Sequence, residues 1–362
     1  MEQELKHSAR IGASADLAQA PLGIENSPAA KLRPLILLAL PGAVVTALVV
    51  HWLVAQNELR SEPWPHISFA GDGPAFSLSE AWLYNIFLSG VLALSVLIAL
   101  IQPFWSGLRR WMHNTCPIIA VAVLLFAVWE VITSGLRLLP MPYFPSPAGV
   151  LQSLVNDRDI IFDSTWHSLV LLAGGYALGV VVGLITGICI GWFPLARYWG
   201  MPVLKVVGPI PATAWIPLAM IVSPSATFSA IGLIALAVWF PVTMLTASGI
   251  SNTRASYLDV ARTLGAGRAY LIFRVAIPAA MPSVFIGLFM GLGASFLTLV
   301  VAETIGVKSG LGWYVTWAQG WAEYGKVYAA LFIMAAFFST IMTVLFKVRD
   351  RVLVWQKGVI KW

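Results

Sequence analysis

The sequence predicts an all-α integral membrane protein, a polytopic helical bundle of about eight transmembrane helices. Three observations carry this. Of 362 residues, 59% are hydrophobic and only 10% are charged, whereas a soluble domain carries roughly 25% charged residues. Eight apolar runs are long enough to cross about 30 Å of hydrocarbon. Five glycines, Gly175, Gly179, Gly183, Gly187 and Gly191, recur at four-residue spacing inside one of those runs. In water such a helix would lose about 1 kcal/mol per glycine relative to alanine. In lipid the backbone must satisfy itself within the segment, so the helix is kept and the glycines form a flat packing ridge. The ridge suits a close contact within the chain; a subunit contact or the wall of a moving pathway is the sharper alternative.

The spans fall near residues 34–54, 81–101, 117–137, 167–190, 203–222, 229–249, 283–302 and 327–346. The first follows a polar, mixed N-terminal stretch with Pro21, Pro28 and many Ala and Ser, expected to be partly disordered. That run is long enough to span rather than be cleaved as a signal. The third contains Glu130, the fourth holds the glycine ridge, and the seventh ends beside Glu303. The fifth carries Pro209, Pro211 and Pro217, which remove backbone donors. Irregular backbone at membrane depth is tolerated where it faces protein or a water-filled cavity. Freed carbonyls with Pro211, Thr213 and Trp215 then line a passage for a small polar solute, or the segment is a kinked packing helix. Trp64, Trp82, Trp105, Trp111, Trp192 and Trp199 lie near span ends, as interfacial belts require.

Eight spans leave nine flanking segments, and the cations alternate between them. Lys6, Arg10, Lys31 and Arg33; Arg109 and Arg110; Arg197 and Lys205; Arg254, Arg262, Arg268 and Arg274; and Lys347, Arg349, Arg351, Lys357 and Lys361 make seventeen on one side. The other side holds Arg60, Arg137, Arg158, Lys308 and Lys326. The positive-inside rule then places both termini in the cytoplasm. The same asymmetry accounts for the net charge of +6 without nucleic acid. Cys116 and Cys189 have neither a disulfide framework nor a metal-ligand spacing around them.

The longest loop on the cation-rich side begins Ser256-Tyr257-Leu258-Asp259 and continues through Ala261, Arg262, Leu264, Gly265, Ala266 and Arg268 to Ile277-Pro278. Ser256 can cap a helix, with Asp259 three residues on completing a capping-box-like start. Leu258, Ala261 and Leu264 recur on one face, and Gly265 can take the left-handed conformation that ends the helix. A second short helix from about Arg268 to Val275 is expected to stop at Pro278. The product is an amphipathic helix–turn–helix at the membrane surface, too short and polar to span.

The residues Asp259-Val260-Ala261, three residues, Gly265, nine residues, Val275, one residue, Ile277-Pro278 resemble a signature of importer permeases of the ATP-binding-cassette superfamily. The spacing is kept, and Asp, Val, Val and Ile stand where that pattern has Glu, Ala, Ile and Leu. The resemblance implies a coupling helix that seats in a groove of a cytoplasmic ATPase, with Asp259, Ala261 and Gly265 at the centre. Phe144 to Leu151, Gly208 to Leu218, Val301 to Gly306 and Ser309 to Trp313 are similar to segments of nitrate, sulfonate and taurine-type permeases. Residues 221–229 depart from the turn usual there, and the first 115 residues, with two extra spans, have no counterpart in the minimal permease. The implied domains are a tail (1–33), a two-helix extension (34–115), a type I permease domain (116–350) with coupling loop 250–282, and a tail (351–362).

Ionisable residues inside spans are functional candidates by default. Glu130 suits a structural hydrogen-bonding role. Glu303, beside Thr304, is a gate or a structural residue. His51 and His167 read as interfacial or internally satisfied. No catalytic constellation is present: Gly306-Val307-Lys308-Ser309 lacks phosphate-loop spacing. The resemblance therefore implies a non-enzymatic, multi-pass permease of the bacterial inner membrane, with no cofactor of its own. Two ATPase subunits would hold ATP and Mg, a second copy of the chain would complete the path, and a periplasmic or lipid-anchored solute-binding protein would deliver a small anion or zwitterion such as nitrate, a sulfonate, taurine or bicarbonate. An ion-gradient-driven secondary transporter and an importer of an aromatic or heterocyclic nutrient are the alternatives.

Overall fold

The computed structural model describes residues 39–54, 80–101, 104, 106–140 and 142–355, and among them there is no strand. The expectation for the tail 1–33 lies outside the described residues. The chain divides into two compact units, 1–138 and 139–362. Residues 116–138, assigned from the sequence to the permease domain, thus group with the first two spans.

The first unit contains α1 (Ala39–Val54), α2 (Glu80–Ile101) and α3 (Ser106–Glu130), which runs into a π-helical turn, Val131–Gly135. Leu40, Ala43 and Val44 of α1 bury against Met112, Cys116 and Ala120 of α3, with Val91 and Leu92 of α2 packed alongside. The helix expected to open at Pro117 begins eleven residues earlier and passes through the proline. Neighbouring helices allow that in a membrane segment.

The second unit starts with α4 (Pro147–Asn156), whose ends are written locally. Ser146 accepts the Gly149 N–H at 3.0 Å as N-cap, and Pro147 occupies the first turn, where its missing donor costs nothing. Then come α5 (Arg158–Trp192), α6 (Pro194–Val207), a 3₁₀ turn (Ala212–Trp215) leading into α7 (Ile216–Val222), and α8 (Ala226–Ser251). They are followed by α9 (Ala255–Thr263), α10 (Arg268–Ile305), α11 (Leu311–Gly320) and α12 (Tyr324–Val352).

Six described helices are long and apolar enough to cross a membrane. The span expected at 203–222 is not one helix: α6 and the 212–222 segment meet at an angle of 86°. Gly208 still donates its N–H to the Leu204 carbonyl at 2.9 Å, but Pro209 and Pro211 have no N–H to extend the ladder, so the chain turns there and the span is broken. The remaining expected span, α1, is described over sixteen residues, about 24 Å.

The glycine ridge decides the centre of the second unit. A Cβ at Gly175 would lie 2.5 Å from Ile234 Cβ, and one at Gly179 would lie 2.6 Å from the Ala235 carbonyl oxygen. At Gly183, Gly187 and Gly191 the nearest α8 atoms belong to Val242, Thr246 and Ala247, at 2.9, 2.6 and 2.9 Å. The ridge is therefore an intramolecular helix contact along its whole length, the plainer of the two readings. Gly287 and Gly291 of α10 approach the other flank of α8, against Pro241, Val242 and Val238. Val238 and Val242 are fully buried between the two glycine-bearing helices. Around this seam Leu171, Leu172, Ile234, Leu292 and Leu299 form the main apolar cluster.

Candidate coupling helix and transport pathway

α9 is a two-and-a-half-turn helix that buries none of its residues. The expected Ser256 cap does not form. Arg254 occupies the N-cap without a side-chain bond, because the Tyr257 N–H already reaches the Arg254 carbonyl and closes the first turn one residue before Ser256. Asp259 instead pairs with Arg262 at 3.0 Å on the exposed face, and the Arg254 guanidinium lies 5.9 Å from the Tyr257 ring centroid.

The helix ends as its glycine predicts. Gly265 has φ +83°, its N–H reaches the Arg262 carbonyl, and the Ala266 N–H reaches back to Ala261. This left-handed exit satisfies carbonyls that the helix end would otherwise leave open. It leaves Tyr257, Val260 and Leu264 exposed, with Leu264 at 82%. Leu258 and Ala261 are half-buried, so the apolar stripe expected over Leu258, Ala261 and Leu264 is divided between an inner and an outer side. Arg268 and Tyr270, which open the next helix, are exposed as well.

That next helix is not short. The segment expected to stop at Pro278 continues unbroken to Ile305. Between Leu271 and Ala276 the helix widens to π spacing, and the Ile277 N–H bonds to the Ile272 carbonyl. The wide turn makes room for the Pro278 ring and redistributes the carbonyls whose donor is missing. α9 packs against this turn, so the loop is carried on the end of a transmembrane helix rather than on a flexible link.

At the other end of α10, Glu303 is 1% exposed. Its Oε1 accepts the Ser168 hydroxyl of α5 at 2.6 Å, and its Oε2 accepts the Gly312 N–H at 2.8 Å. Ser168 Oγ in turn accepts the Leu311 N–H at 2.9 Å. Two open donors at the start of α11 are thus satisfied by side chains from two other helices. Gly310 adopts φ +102°, and a Cβ there would collide with the Glu303 carboxylate. Thr304 donates to the Val301 carbonyl of its own helix. His167, next to Ser168, bonds the Asp163 carbonyl one turn back.

A second polar cluster holds the far side of α11, and sequence reasoning did not identify it. The Tyr314 hydroxyl donates to Asp157 at 2.8 Å. Lys326 Nζ lies 3.1 Å from the same Asp157 oxygen and 2.7 Å from Glu323. Burial, then the Asp157 hydrogen bond and charge, push the Tyr314 phenol well above its ordinary range. Asp157 and Tyr314 stand 157 positions apart, so no local pattern announced them.

In the broken span, the 3₁₀ turn carrying Thr213 and Trp215 packs on α8 and α10. Pro211 is exposed and Thr213 half-buried, while the Trp215 indole N–H is buried with no hydrogen-bond partner among the described residues.

Residues 179–353 match the family described as the binding-protein-dependent transport system inner membrane component. The taurine transport system permease protein TauC of Escherichia coli strain K12 is 32% identical over 228 residues, covering 61% of this chain and 82% of TauC. This protein is a permease of that family. The nitrate import permease protein NrtB of a Synechocystis strain is 30% identical over 240 residues, 63% of this chain and 84% of NrtB. As a membrane-spanning subunit of an ATP-binding-cassette importer, the permease has no need of the buried coupling carboxylates of a gradient-driven carrier. The family match begins inside α5 and runs into the end of α12, so it contains α9 and its Gly265 exit.

Proposed function

We propose that this permease imports a small anionic or zwitterionic solute, of the nitrate, sulfonate, taurine or bicarbonate class, with ATP hydrolysed by separate cytoplasmic subunits docked on α9. The observation that carries the docking is the exposure of Tyr257, Val260 and Leu264 on a helix that also exposes Asp259 and Arg262. Exposed charges keep α9 out of the hydrocarbon, so its apolar side chains need a protein groove to cover them. Tyr257, Leu258, Asp259, Ala261, Arg262, Leu264, Gly265, Ala266 and Arg268 form this contact. Two ATPase subunits, holding ATP and Mg, would serve two copies of the permease. The seventeen-to-five division of cations supports an orientation with both termini in the cytoplasm, which puts α9 on the ATPase side.

The substrate class follows TauC and NrtB, whose names give taurine and nitrate. A solute-binding protein outside the membrane delivers it. Pro211, Thr213 and Trp215 line the path: the Trp215 indole is a donor without an acceptor among the described residues, the complement of an oxyanion. Glu303 and Thr304 act at the outer end, where Glu303 sets the position of α11 rather than meeting solute.

Copurification tests the docking. Leu264→Asp leaves every intramolecular contact of α9 in place, so the permease should remain folded while its yield of bound ATPase falls at least about tenfold, the loss of one interface anchor. Full retention of the ATPase would remove α9 from the interface.

A further inference from the structure

α6 carries two cations, and contacts among the described residues account for only one of them. Arg197, in the first turn, reaches back onto α5. Its Nη2 donates to the Gly191 carbonyl at 2.8 Å and its Nε to the Ile190 carbonyl at 3.3 Å. Both carbonyls belong to the last turn of α5, which a helix end leaves open, so Arg197 caps that helix. Lys205, counted from the sequence with Arg197 among the cations of a flanking segment, stands eight residues further on, about 12 Å along α6 and in its last turn. It is exposed and makes no hydrogen bond or ion pair among the described residues.

The surroundings of Lys205 are apolar. Leu204 beside it is 1% exposed and packs with Ile190 and Ala247. A Cβ on Gly208, one turn further along, would strike the Phe240 ring. Phe240 lies eleven residues before the end of α8, about 16 Å of helix. Lys205 is thus set within the apolar body of the second unit, not at its rim. From Val206 to Thr253 the chain contains no Asp, Glu, His, Lys or Arg, so neither the broken span nor α8 supplies a carboxylate to neutralise it. An ammonium facing hydrocarbon is costly, and ionisable groups inside spans face protein or water. Four residues after Lys205 the prolines break the helix, and such backbone is admitted at membrane depth only beside protein or a water-filled cavity.

We propose that Lys205 faces the water-filled path and is the cation that draws the solute's negative charge through the half of the path nearer α9. This deepens the substrate class proposed above and rests on it. Lysine suits the task. Its compact ammonium on a flexible stem meets an anion as a point charge, without the fixed fork of an arginine. With no carboxylate paired to it, that charge is available to a transient partner. Trp215, ten residues on, offers the same solute a neutral N–H. The rival is a lysine that lies against lipid and reaches back to the headgroups.

The whole importer, binding protein included, is reconstituted in proteoliposomes and supplied with nitrate, taurine and bicarbonate in turn. For the solute that wild type imports, Lys205→Gln should lower turnover about tenfold or more, the loss of one charge-assisted bond, while KM, set by the binding protein, holds. Lys205→Arg should keep most of the turnover. Charge rescue separates this from a folding defect. In a chain with Cys116→Ala and Cys189→Ala, Lys205→Cys should be as slow as Lys205→Gln. Aminoethyl methanethiosulfonate, which attaches an ammonium, should restore turnover; the sulfonatoethyl reagent, which attaches an anion, should not. In nanodiscs the impermeant sulfonatoethyl reagent can reach the Lys205→Cys thiol only through water, and modification is expected. An unmodified thiol would place the side chain in lipid and overturn the proposal, as would equal effects of the two reagents. Wild type that imports none of the three solutes overturns the substrate class and the anion role together, whereas unchanged import by Lys205→Gln overturns the role of Lys205 alone.

Discussion

Ser168 Oγ lies 2.6 Å from Glu303 Oε1, linking α5 to α10 across 135 positions of sequence while both residues also bind the first turn of α11. Four groups close into one buried network: a carboxylate, a hydroxyl and two backbone N–H groups. The hydroxyl and the backbone N–H together satisfy both oxygens of this buried carboxyl group. The consequence is a short helix whose start is fixed by two transmembrane helices at once.

Removing the Glu303 carboxylate strands the Gly312 N–H and the Ser168 hydroxyl. Each stranded buried group costs about 1–3 kcal/mol. Glu303→Ala should lower the thermal midpoint of the purified permease more than Glu303→Gln, whose amide keeps one acceptor oxygen. Ser168→Ala combined with Glu303→Gln should be less damaging than the sum of the two, by about 0.5 kcal/mol or more, because they share one bond. Strict additivity would show that the two side chains do not interact.

The ridge predicts opposite outcomes for the same substitution at two glycines. A Cβ at Gly179 meets the α8 backbone at 2.6 Å, whereas one at Gly232 on α8 meets nothing within 4 Å. Gly179→Ala should destabilise by about 1–3 kcal/mol, as overpacking does. Gly232→Ala should be neutral or stabilising by up to about 1 kcal/mol, since alanine is the better helix residue. Gly183→Leu should be worse than Gly183→Ala. Equal thermal midpoints for the Gly179 and Gly232 variants would contradict the packing.

Gly265 and Gly267 provide a similar contrast on the coupling loop. A Cβ at either position would meet no atom within 4 Å, but only Gly265 has positive φ. Gly265→Val therefore meets no clash, only the left-handed backbone cost of about 1–2 kcal/mol, and should uncouple substrate-stimulated ATP hydrolysis in the reconstituted importer. Gly267→Ala should retain it. Coupling unaffected by Gly265→Val would mean that the helix exit is unimportant to docking.

Orientation can be read chemically. Asn156, at the end of α4, and Ser256, on α9, are both exposed. With an impermeant thiol reagent added to intact cells, Asn156→Cys should be modified and Ser256→Cys protected until the cells are opened. Reversed labelling would invert the proposed topology.

How much of this was legible in the chain can be judged residue by residue. The Gly265 exit was, because a glycine at the end of an amphipathic stretch is a local backbone signal. So was the ridge, because four-residue spacing maps directly onto one helix face. The break after Val207 was visible as prolines, although its 86° angle was not. The Ser256 cap failed because two residues in front, Arg254 had already closed the turn. The stop at Pro278 failed because a π turn accommodates a proline that an α-helical ladder would reject. In each failure a neighbouring backbone arrangement overruled a sound local preference.

By itself, then, the sequence determined which segments enter the membrane, since hydropathy and charge act segment by segment, and where a short surface helix begins to interrupt them. Which side of the glycine ridge would be covered, and by what, was decided only by tertiary structure: α8 fills it with Ile234, Val242 and Thr246. The same holds for Glu303 and His51, each of which looks in sequence like an isolated polar residue in an apolar run. Their partners, Ser168 and Glu130, lie 135 and 79 positions away. Apolar burial is additive along a chain and can be summed from composition, whereas a buried hydrogen bond exists only where two particular groups meet, and only the packed helices bring them together.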